Sequence, residues 1–489
     1  MPNKIDDLAS CVHPYIEMRR EQLYANLLLL QGGRPYIDHR LSRFPAESAV
    51  QWAGANARNS NENNFGVGVE AIHGRKDRAY LTNYARRIVE KVGQYIFATP
   101  PERAGIDEDW ADNVTATESA CTINRFMRSV LHSTFTGGWS WILVDGDMLP
   151  EEATAADEQA SRVWWSCLDA LSVPDFKVGK SGIEMLITER HIYHGGYEPK
   201  AKRTIYTPES ITTMIVTGRD KYRKVSEVEE MPNRLGKVPA VMVGEAKPCA
   251  HAFDDIENIQ RSILDMESAN DQSLFQMVYP QLVVPAAFAN PVGADGTPIP
   301  FDGVVGTQNA IVETPEDKGI ARFITPNATD LGILREELEK KKLAMFETAG
   351  YAMRQETRQV ESAEAKAWSH LDIQQALSEW ADTLEAAETK AVELSTEVLG
   401  SFSAYEPVYN RRFDVTDVES DIKALMGIDT LDLPDSMRRE IATVALSVLN
   451  KVESIPPERM AAIEAEIAEM ATEDLTATTP VSVETEDNP

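Results

Sequence analysis

The chain has 489 residues, of which 43% are hydrophobic, and it carries a formal net charge of −30 at pH 7. It is long enough to bury a core as two or three ordinary domains or as one elongated body. Apolar stretches such as residues 27–30 are far too short for a membrane span. So negative a charge argues against a protein that holds nucleic acid by neutralising phosphates, although it is compatible with one that surrounds DNA without gripping it.

The cysteines are scattered without metal-ligand spacing, and the first residues lack the regions of a signal peptide. We therefore expect reduced thiols in a chain that folds in a cytoplasm. The four cysteines are Cys11, Cys121, Cys167 and Cys249.

Apolar periodicity predicts three helices in the first third of the chain, over residues 14–31, 76–97 and 117–135. Gly137 and Gly138 then turn the chain into a predicted strand over residues 139–145.

From residue 163 to residue 243 the pattern changes to short strands separated by Gly, Pro and charged turns. The strands are predicted at residues 163–165, 183–187, 204–206, 211–216 and 238–243. Residues 177–237 contain twelve Lys or Arg and eight Asp or Glu, a local balance of +4. This basic stretch is either a solvated β-surface or a patch that contacts an acidic neighbour or DNA. The candidate docking residues are Lys200, Lys202, Arg203, Lys221, Arg223 and Lys224.

A long helix is predicted over residues 252–279, where an apolar stripe runs up to Pro280. Its other side is strongly acidic, which predicts either a plain solvent face or an acidic wall that repels something negative. The wall would consist of Asp254, Asp255, Glu257, Asp265, Glu267 and Asp271.

Short strands and two more helices follow. The strands are predicted at residues 281–285, 303–306, 310–313 and 321–324, and the helices at 329–348 and 362–399. The second helix would span roughly 57 Å at 1.5 Å per residue.

A polar loop, residues 351–361, separates these two helices. It carries Arg354, Gln355, Arg358 and Gln359, which form a candidate DNA-contacting segment. The alternative for its arginines is pairing with Glu356 or Glu361 between subunits.

The end of the chain is predicted to contain a short strand and three helices, followed by an acidic tail, residues 472–489, of the composition typical of disorder. The strand falls near residues 405–413, and the helices at 418–426, 434–452 and 457–471.

The sequence contains no nucleophile elbow, phosphate loop or metalloprotease motif. His191 and His194 have a spacing that does not place both rings on one face of a strand, so we do not predict a metal site there. We expect a protein that is not an enzyme and that needs no cofactor.

The order of several sequence phrases resembles the portal proteins of tailed bacteriophages, over roughly residues 75–470. The phrases are KVGQYIFATPP at 91–101, GWSWILVD at 138–145, the basic insert between Pro174 and Val238-Pro239, the helix 252–279 ending at Pro280, the loop 351–361 followed by SAEA at 362–365, and YNRRFD at 409–414.

The resemblance implies an α+β fold, elongated and multi-domain, with wing, stem, clip and crown parts that assemble into a closed ring. The implied parts are an N-terminal wing at 1–165, a first stem helix at 166–178, a basic β-rich clip at 179–250, a second stem helix at 251–280, a C-terminal wing at 281–349, a tunnel loop at 350–361, a long spine helix at 362–404, a crown at 405–471 and a disordered tail at 472–489.

The resemblance further implies a homo-oligomeric ring of about twelve subunits at a capsid vertex of the virion, assembled in the host cytoplasm. Its implied partners are a terminase motor, adaptor or tail proteins, the major capsid protein, and double-stranded DNA that passes through without sequence specificity. No membrane partner is implied. Two alternatives stay open: another head-tail connector or adaptor, and a cytosolic enzyme whose site residues are dispersed in sequence.

Overall fold

A computed structural model provides the structure of the chain, which divides into two compact units, Met1–Arg412 and Phe413–Pro489. The residues that it describes are 8–45, 47, 52, 74–115, 120–146, 162–180, 182–192, 200–218, 223–278, 281–285, 310–313, 322–324, 328–349, 363–399, 405–411 and isolated positions between 442 and 467.

Nine helices of the first unit have described bounds. They are α1 (Pro14–Gln31), α2 (Arg34–Arg40), α3 (Arg75–Arg78), α4 (Tyr84–Ile96), α5 (Glu108–Asp112), α6 (Ile123–Gly137), α7 (Ala252–Val278), α8 (Ala328–Thr348) and α9 (Ala363–Leu399).

The described strands form four separate sheets. They are β1 (Glu102–Ala104), β2 (Trp139–Gly146), β3 (Val163–Asp169), β4 (Asp175–Gly179), β5 (Gly182–Ile192), β6 (Lys200–Tyr206), β7 (Ser210–Thr217), β8 (Lys224–Pro232), β9 (Ala240–Gly244), β10 (Gln281–Pro285), β11 (Ala310–Glu313), β12 (Arg322–Ile324) and β13 (Glu406–Val408). Helices and sheets are both present, which is consistent with the α+β class expected above.

The centre of the first unit is the three-stranded antiparallel sheet β3-β2-β9. Its middle strand β2 is buried over its first six residues, and Trp139 and Trp141 are fully enclosed. The chain enters β2 from α6 through Gly138, whose φ of 89° is a left-handed conformation that favours glycine. Helices α6 and α9 pack on this sheet, and the indole N–H of Trp165 on β3 donates to the Ser395 hydroxyl of α9 at 2.9 Å.

A five-stranded antiparallel meander, β4-β5-β6-β7-β8, follows the central sheet in sequence. One of its faces packs on the N-terminal segment, where Ala9 joins a core cluster with Ile187, Ile205 and Met214. Near the β4 end, Leu186 and Phe176 instead join the main core beneath Trp141. The meander is therefore anchored to the body at one end and along one face.

Helix α9 begins where predicted, and its second half is fixed by a buried network around Glu388. This carboxylate accepts hydrogen bonds from Arg103 of β1 and from the hydroxyls of Tyr405 and Tyr409 beside β13. The short sheet β1-β13 is thereby held against the helix.

Most predicted helices of the first unit are confirmed, because capping residues and apolar stripes agree with the tertiary packing. The predicted helix 76–97 is wrong in one respect: the chain breaks at residues 79–83 and α4 begins only at Tyr84, where the Gln260 side chain accepts from the Tyr84 backbone N–H at 2.9 Å.

The first stem helix expected at residues 166–178 is wrong. That stretch contains the end of β3, a turn at Asp169–Ser172 and the beginning of β4. Leu168 and Phe176 enter the core from strands, and the Asp169 carboxylate accepts from the backbone N–H groups of Leu171 and Ser172 to form the turn.

In the second unit the described residues are isolated helical positions, Ala442, Leu446, Arg459, Met460, Ala462, Ile463, Ala465 and Ile467. The predicted tail 472–489 and the predicted strand 303–306 lie outside the described residues. Among the described helices, none is both long enough and apolar enough to cross a membrane.

Candidate functional site

The acidic side of α7 is largely internal. Asp254 is 4% exposed and forms an ion pair with Arg19 of α1 at 2.9 Å, while the Asn26 amide donates to it at 2.8 Å. Glu257 is fully buried and accepts from the Tyr36 hydroxyl and from Arg40, each at 2.9 Å.

The remaining carboxylates of the predicted wall are more varied. Asp265 is half-buried, accepts from the Ser42 backbone N–H at 2.8 Å, and has its pKa raised by burial. Burial also raises the pKa of Glu267 and of Asp271. Asp255 is exposed.

The prediction of a continuous exposed acidic face on α7 is therefore corrected. Arg19 of α1 pairs with Asp254, and Arg40 of α2 pairs with Glu257. These partners are needed because a carboxylate buried alone would cost several kcal/mol. Of the six predicted wall residues, Asp255 alone is exposed, and the other five are buried or half-buried. A wall in an assembly stays a prediction.

The predicted docking residues on the five-stranded sheet also divide into buried, paired residues and exposed ones. Arg203 is 1% exposed and donates to Glu189 at 2.6 Å, and Arg223 donates to the same carboxylate at 2.7 Å. Burial alone would raise the pKa of Glu189, but hydrogen bonds and charge from the two arginines outweigh it and lower that pKa.

Both arginines also hold the N-terminal segment in place. Arg203 donates to the backbone carbonyls of Leu8 at 2.8 Å and Cys11 at 3.2 Å, and Arg223 donates to that of Ala9 at 3.4 Å. The prediction that Arg203 and Arg223 are surface docking residues is therefore wrong. Both side chains instead bind the N-terminal segment to the sheet.

The same sheet also exposes Arg190, Lys200, Lys202 and Lys224. Arg190 stands directly opposite Lys202, Lys200 opposite Thr217, and Thr217 opposite Lys224. Since side chains alternate between the faces of a strand, these positions share one face, opposite to that of Arg203. We call Arg190, Lys200, Lys202 and Lys224 the basic face.

All four residues of the basic face are exposed, and within the described part of the chain none of them has an ion-pair partner. Like charges directly opposite each other destabilise a strand pair, as at Arg190 and Lys202. An anionic group bound above the sheet would remove that repulsion. This surface is suited to binding an acidic or phosphate-bearing partner.

Sequence analysis missed Arg190 as a candidate because its place beside Lys202 depends on the register of β5 against β6. Alternation within β6 alone would have separated Lys200 and Lys202 from Arg203. Lys221 and the four loop residues Arg354, Gln355, Arg358 and Gln359 lie outside the described residues.

In the described part of the chain, no three His, Cys, Asp or Glu side chains are grouped as metal ligands would be. A surface groove between β9 and α9, about 330 Å³ in volume, is lined by Met242, Glu245, Thr383 and Lys390 among others.

No protein-family model matches this chain, and no curated protein matches it.

Proposed function

We propose that this chain is a subunit of a ring-shaped DNA channel of the kind formed by portal proteins at a capsid vertex. In this role the ring passes double-stranded DNA during packaging and ejection. It also binds a terminase motor and later adaptor or tail proteins, and helps to nucleate the head together with the major capsid protein.

The observation that carries the proposal is the succession, in one compact unit, of the five-stranded sheet with its basic face, the 27-residue helix α7 and the 37-residue helix α9. At 1.5 Å per residue the two helices extend for about 40 Å and about 55 Å. This succession follows the order of the sequence phrases that resemble portal proteins.

Electrostatics supports a conduit better than a DNA-gripping protein. About twelve copies of a chain with a net charge of −30 accumulate roughly −360, which repels phosphates and lets DNA slide. Assembly of such a ring should require salt or divalent cations to screen the repulsion between subunits.

In this proposal the basic face is the exception to the acidic background, and it binds an acidic surface of the motor or adaptor. Arg354 and Arg358 provide a second exception, a transient contact to DNA within the channel. Replacing both with Glu should leave rings intact and reduce the DNA that they retain; loss of the rings would instead support pairing between subunits.

Negative-stain imaging of the purified chain tests the proposal. The expected result is closed rings with a central hole at moderate salt. Compact monomers or dimers under every salt and divalent-cation condition would overturn it.

A further inference from the structure

The five-stranded sheet has an open edge at β8. Among the described strands, β8 has a hydrogen-bonded neighbour on one side only, and eight of its nine residues are exposed. Val228 is 48% exposed and Met231 is 37% exposed, so apolar side chains of this strand are accessible to a partner. An unpaired edge of this length is a template for another strand.

The charges on β8 determine which strand it can accept. Glu227, Glu229 and Glu230 lie along it, so pairing two β8 strands with each other would set carboxylates against carboxylates. A symmetric dimer through this edge is therefore disfavoured, and a basic partner strand is favoured.

The opposite edge of the same sheet has the complementary character. Strand β4 also has one hydrogen-bonded neighbour among the described strands, and it carries Lys177, with Lys180 directly after it. Val178 between them is 50% exposed. The first half of β4 is flanked by the N-terminal segment, where the His13 backbone N–H donates to the Pro174 carbonyl at 2.8 Å, so the free part is residues 177–179.

Strand direction allows these two edges to meet. Each strand of the meander is antiparallel to the next, so β4 and β8 run in the same direction. When copies are related by rotation about a common ring axis, β4 of one copy can therefore lie beside β8 of the next as a parallel pair. Such a head-to-tail contact closes into a ring when the rotation closes.

We propose that β8 of one copy pairs with residues 177–179 of β4 in a second copy, so that the sheets of successive subunits join edge to edge. This inference rests on the proposed ring and specifies one of its subunit contacts. Main-chain hydrogen bonds join the two strands. Lys177 and Lys180 at β4 then lie near the glutamates of β8, which favours this head-to-tail pairing over pairing of two like edges. In the free chain Lys177 forms an exposed ion pair with Glu184, which exchanges for the contact between copies.

A charge-swap experiment tests the contact. The double variant E229K/E230K, and separately K177E/K180E, should each raise the protein concentration needed for half assembly by about tenfold. Combining the four substitutions should return it close to the wild-type value, which also shows that the variants fold. The control E336K/E347K changes the net charge by the same amount as E229K/E230K, at exposed positions of α8. It should not raise the protein concentration needed for half assembly.

Amide hydrogen exchange of residues 224–232 gives a second readout, with slow exchange expected in the assembled protein and fast exchange in the dissociated chain. If the wild type forms rings that are indifferent to both charge reversals, or if the combined variant fails to recover, the edge contact is overturned and the ring proposal survives. If the wild type never assembles, both are overturned.

Discussion

Helix α7 and the five-stranded sheet are both rich in charge, but they use it in opposite ways. On α7, Asp254 and Glu257 are buried, and each forms an ion pair with an arginine of α1 or α2. On the sheet, Lys200 and Lys202 are exposed, and within the described part of the chain they have no ion-pair partner. Buried, matched charges hold the subunit together, and exposed, unmatched charges are available to other molecules.

The sheet contains both kinds of charge within two adjacent residues. Lys202 and Arg203 are neighbours on β6, yet one is exposed and the other is 1% exposed against Glu189. Alternation along the strand, rather than local composition, assigns each residue to the surface or to the interior. The comparison can be tested by removing one charge of each kind.

The largest effect is expected from E257A. It leaves the Tyr36 hydroxyl and the buried Arg40 guanidinium without their carboxylate, so the free energy of unfolding should fall by about 3–5 kcal/mol. Urea unfolding followed by fluorescence measures the change. The matched control D255A, at an exposed position of the same helix, should stay within about 0.5 kcal/mol of the wild type. Equal effects at both positions would show that α7 is not clamped as described.

A smaller loss is expected from R203A. Glu189 keeps Arg223 as a partner, but the carbonyls of Leu8 and Cys11 lose their donor, and we expect a loss of about 1–3 kcal/mol. Limited proteolysis at the N-terminus should become faster as well. K202A, one residue away on the opposite face, is the control; a wild-type rate of cleavage in R203A would contradict the clamp.

The pH dependence of stability follows from the direction in which the pKa of Glu189 is shifted. Its folded pKa is lowered below the unfolded value, so the stabilisation is present at neutral pH and is lost as pH falls through the folded pKa. R203A should therefore differ from the wild type most at neutral pH, and the difference between the two unfolding midpoints should narrow in acid to the part that the bonds to the Leu8 and Cys11 carbonyls contribute. A constant difference across the acid range would show that the arginine does not act through Glu189.

A small effect of opposite sign is expected from E267Q. Burial raises the pKa of Glu267 despite the nearby charge of Lys342, so the ionised carboxylate destabilises the folded state at neutral pH. The variant should be slightly more stable than the wild type at neutral pH, and the gain should vanish as pH falls below the unfolded pKa. Thermal unfolding at several pH values measures it, and destabilisation at neutral pH would contradict the sign.

The smallest effect on stability is expected from K200A/K202A/K224A, which should stay within about 0.5 kcal/mol of the wild type. Binding of an acidic partner should nevertheless weaken in a pull-down with terminase or adaptor, and the salt dependence of binding should decrease. The control K340A/K341A removes exposed or half-exposed lysines of α8. Unchanged docking in the triple variant would remove the assigned role of the basic face.

Local signals predicted much of the secondary structure of the first unit. The limits of α7 follow from its apolar stripe and Pro280, and β2 follows from a pair of glycines and a run of large apolar residues. The environment of the charges could not be predicted, because Arg19 and Asp254 are 235 positions apart in sequence. The missed strands of the five-stranded sheet, β4 and β8, are short or almost wholly exposed, so they lack the alternating apolar signal that identifies a strand.

The expected helix at residues 166–178 failed for a different reason. It came from the order of parts in the proteins that the chain resembles and had no periodic pattern of its own. The structure instead gives this stretch to β3, which pairs with β2 from Asp169 back to Val163, and to β4. Local patterns are therefore the better guide to each short segment.

The mass of the assembled protein tests the central claim most directly. Native mass spectrometry of the full chain at moderate salt should give a complex of about twelve copies of the 54.3 kDa subunit, or about 650 kDa. The complex should dissociate as salt is removed, because repulsion between acidic subunits is then unscreened. A mass of one or two chains at every salt and divalent-cation concentration would contradict the ring.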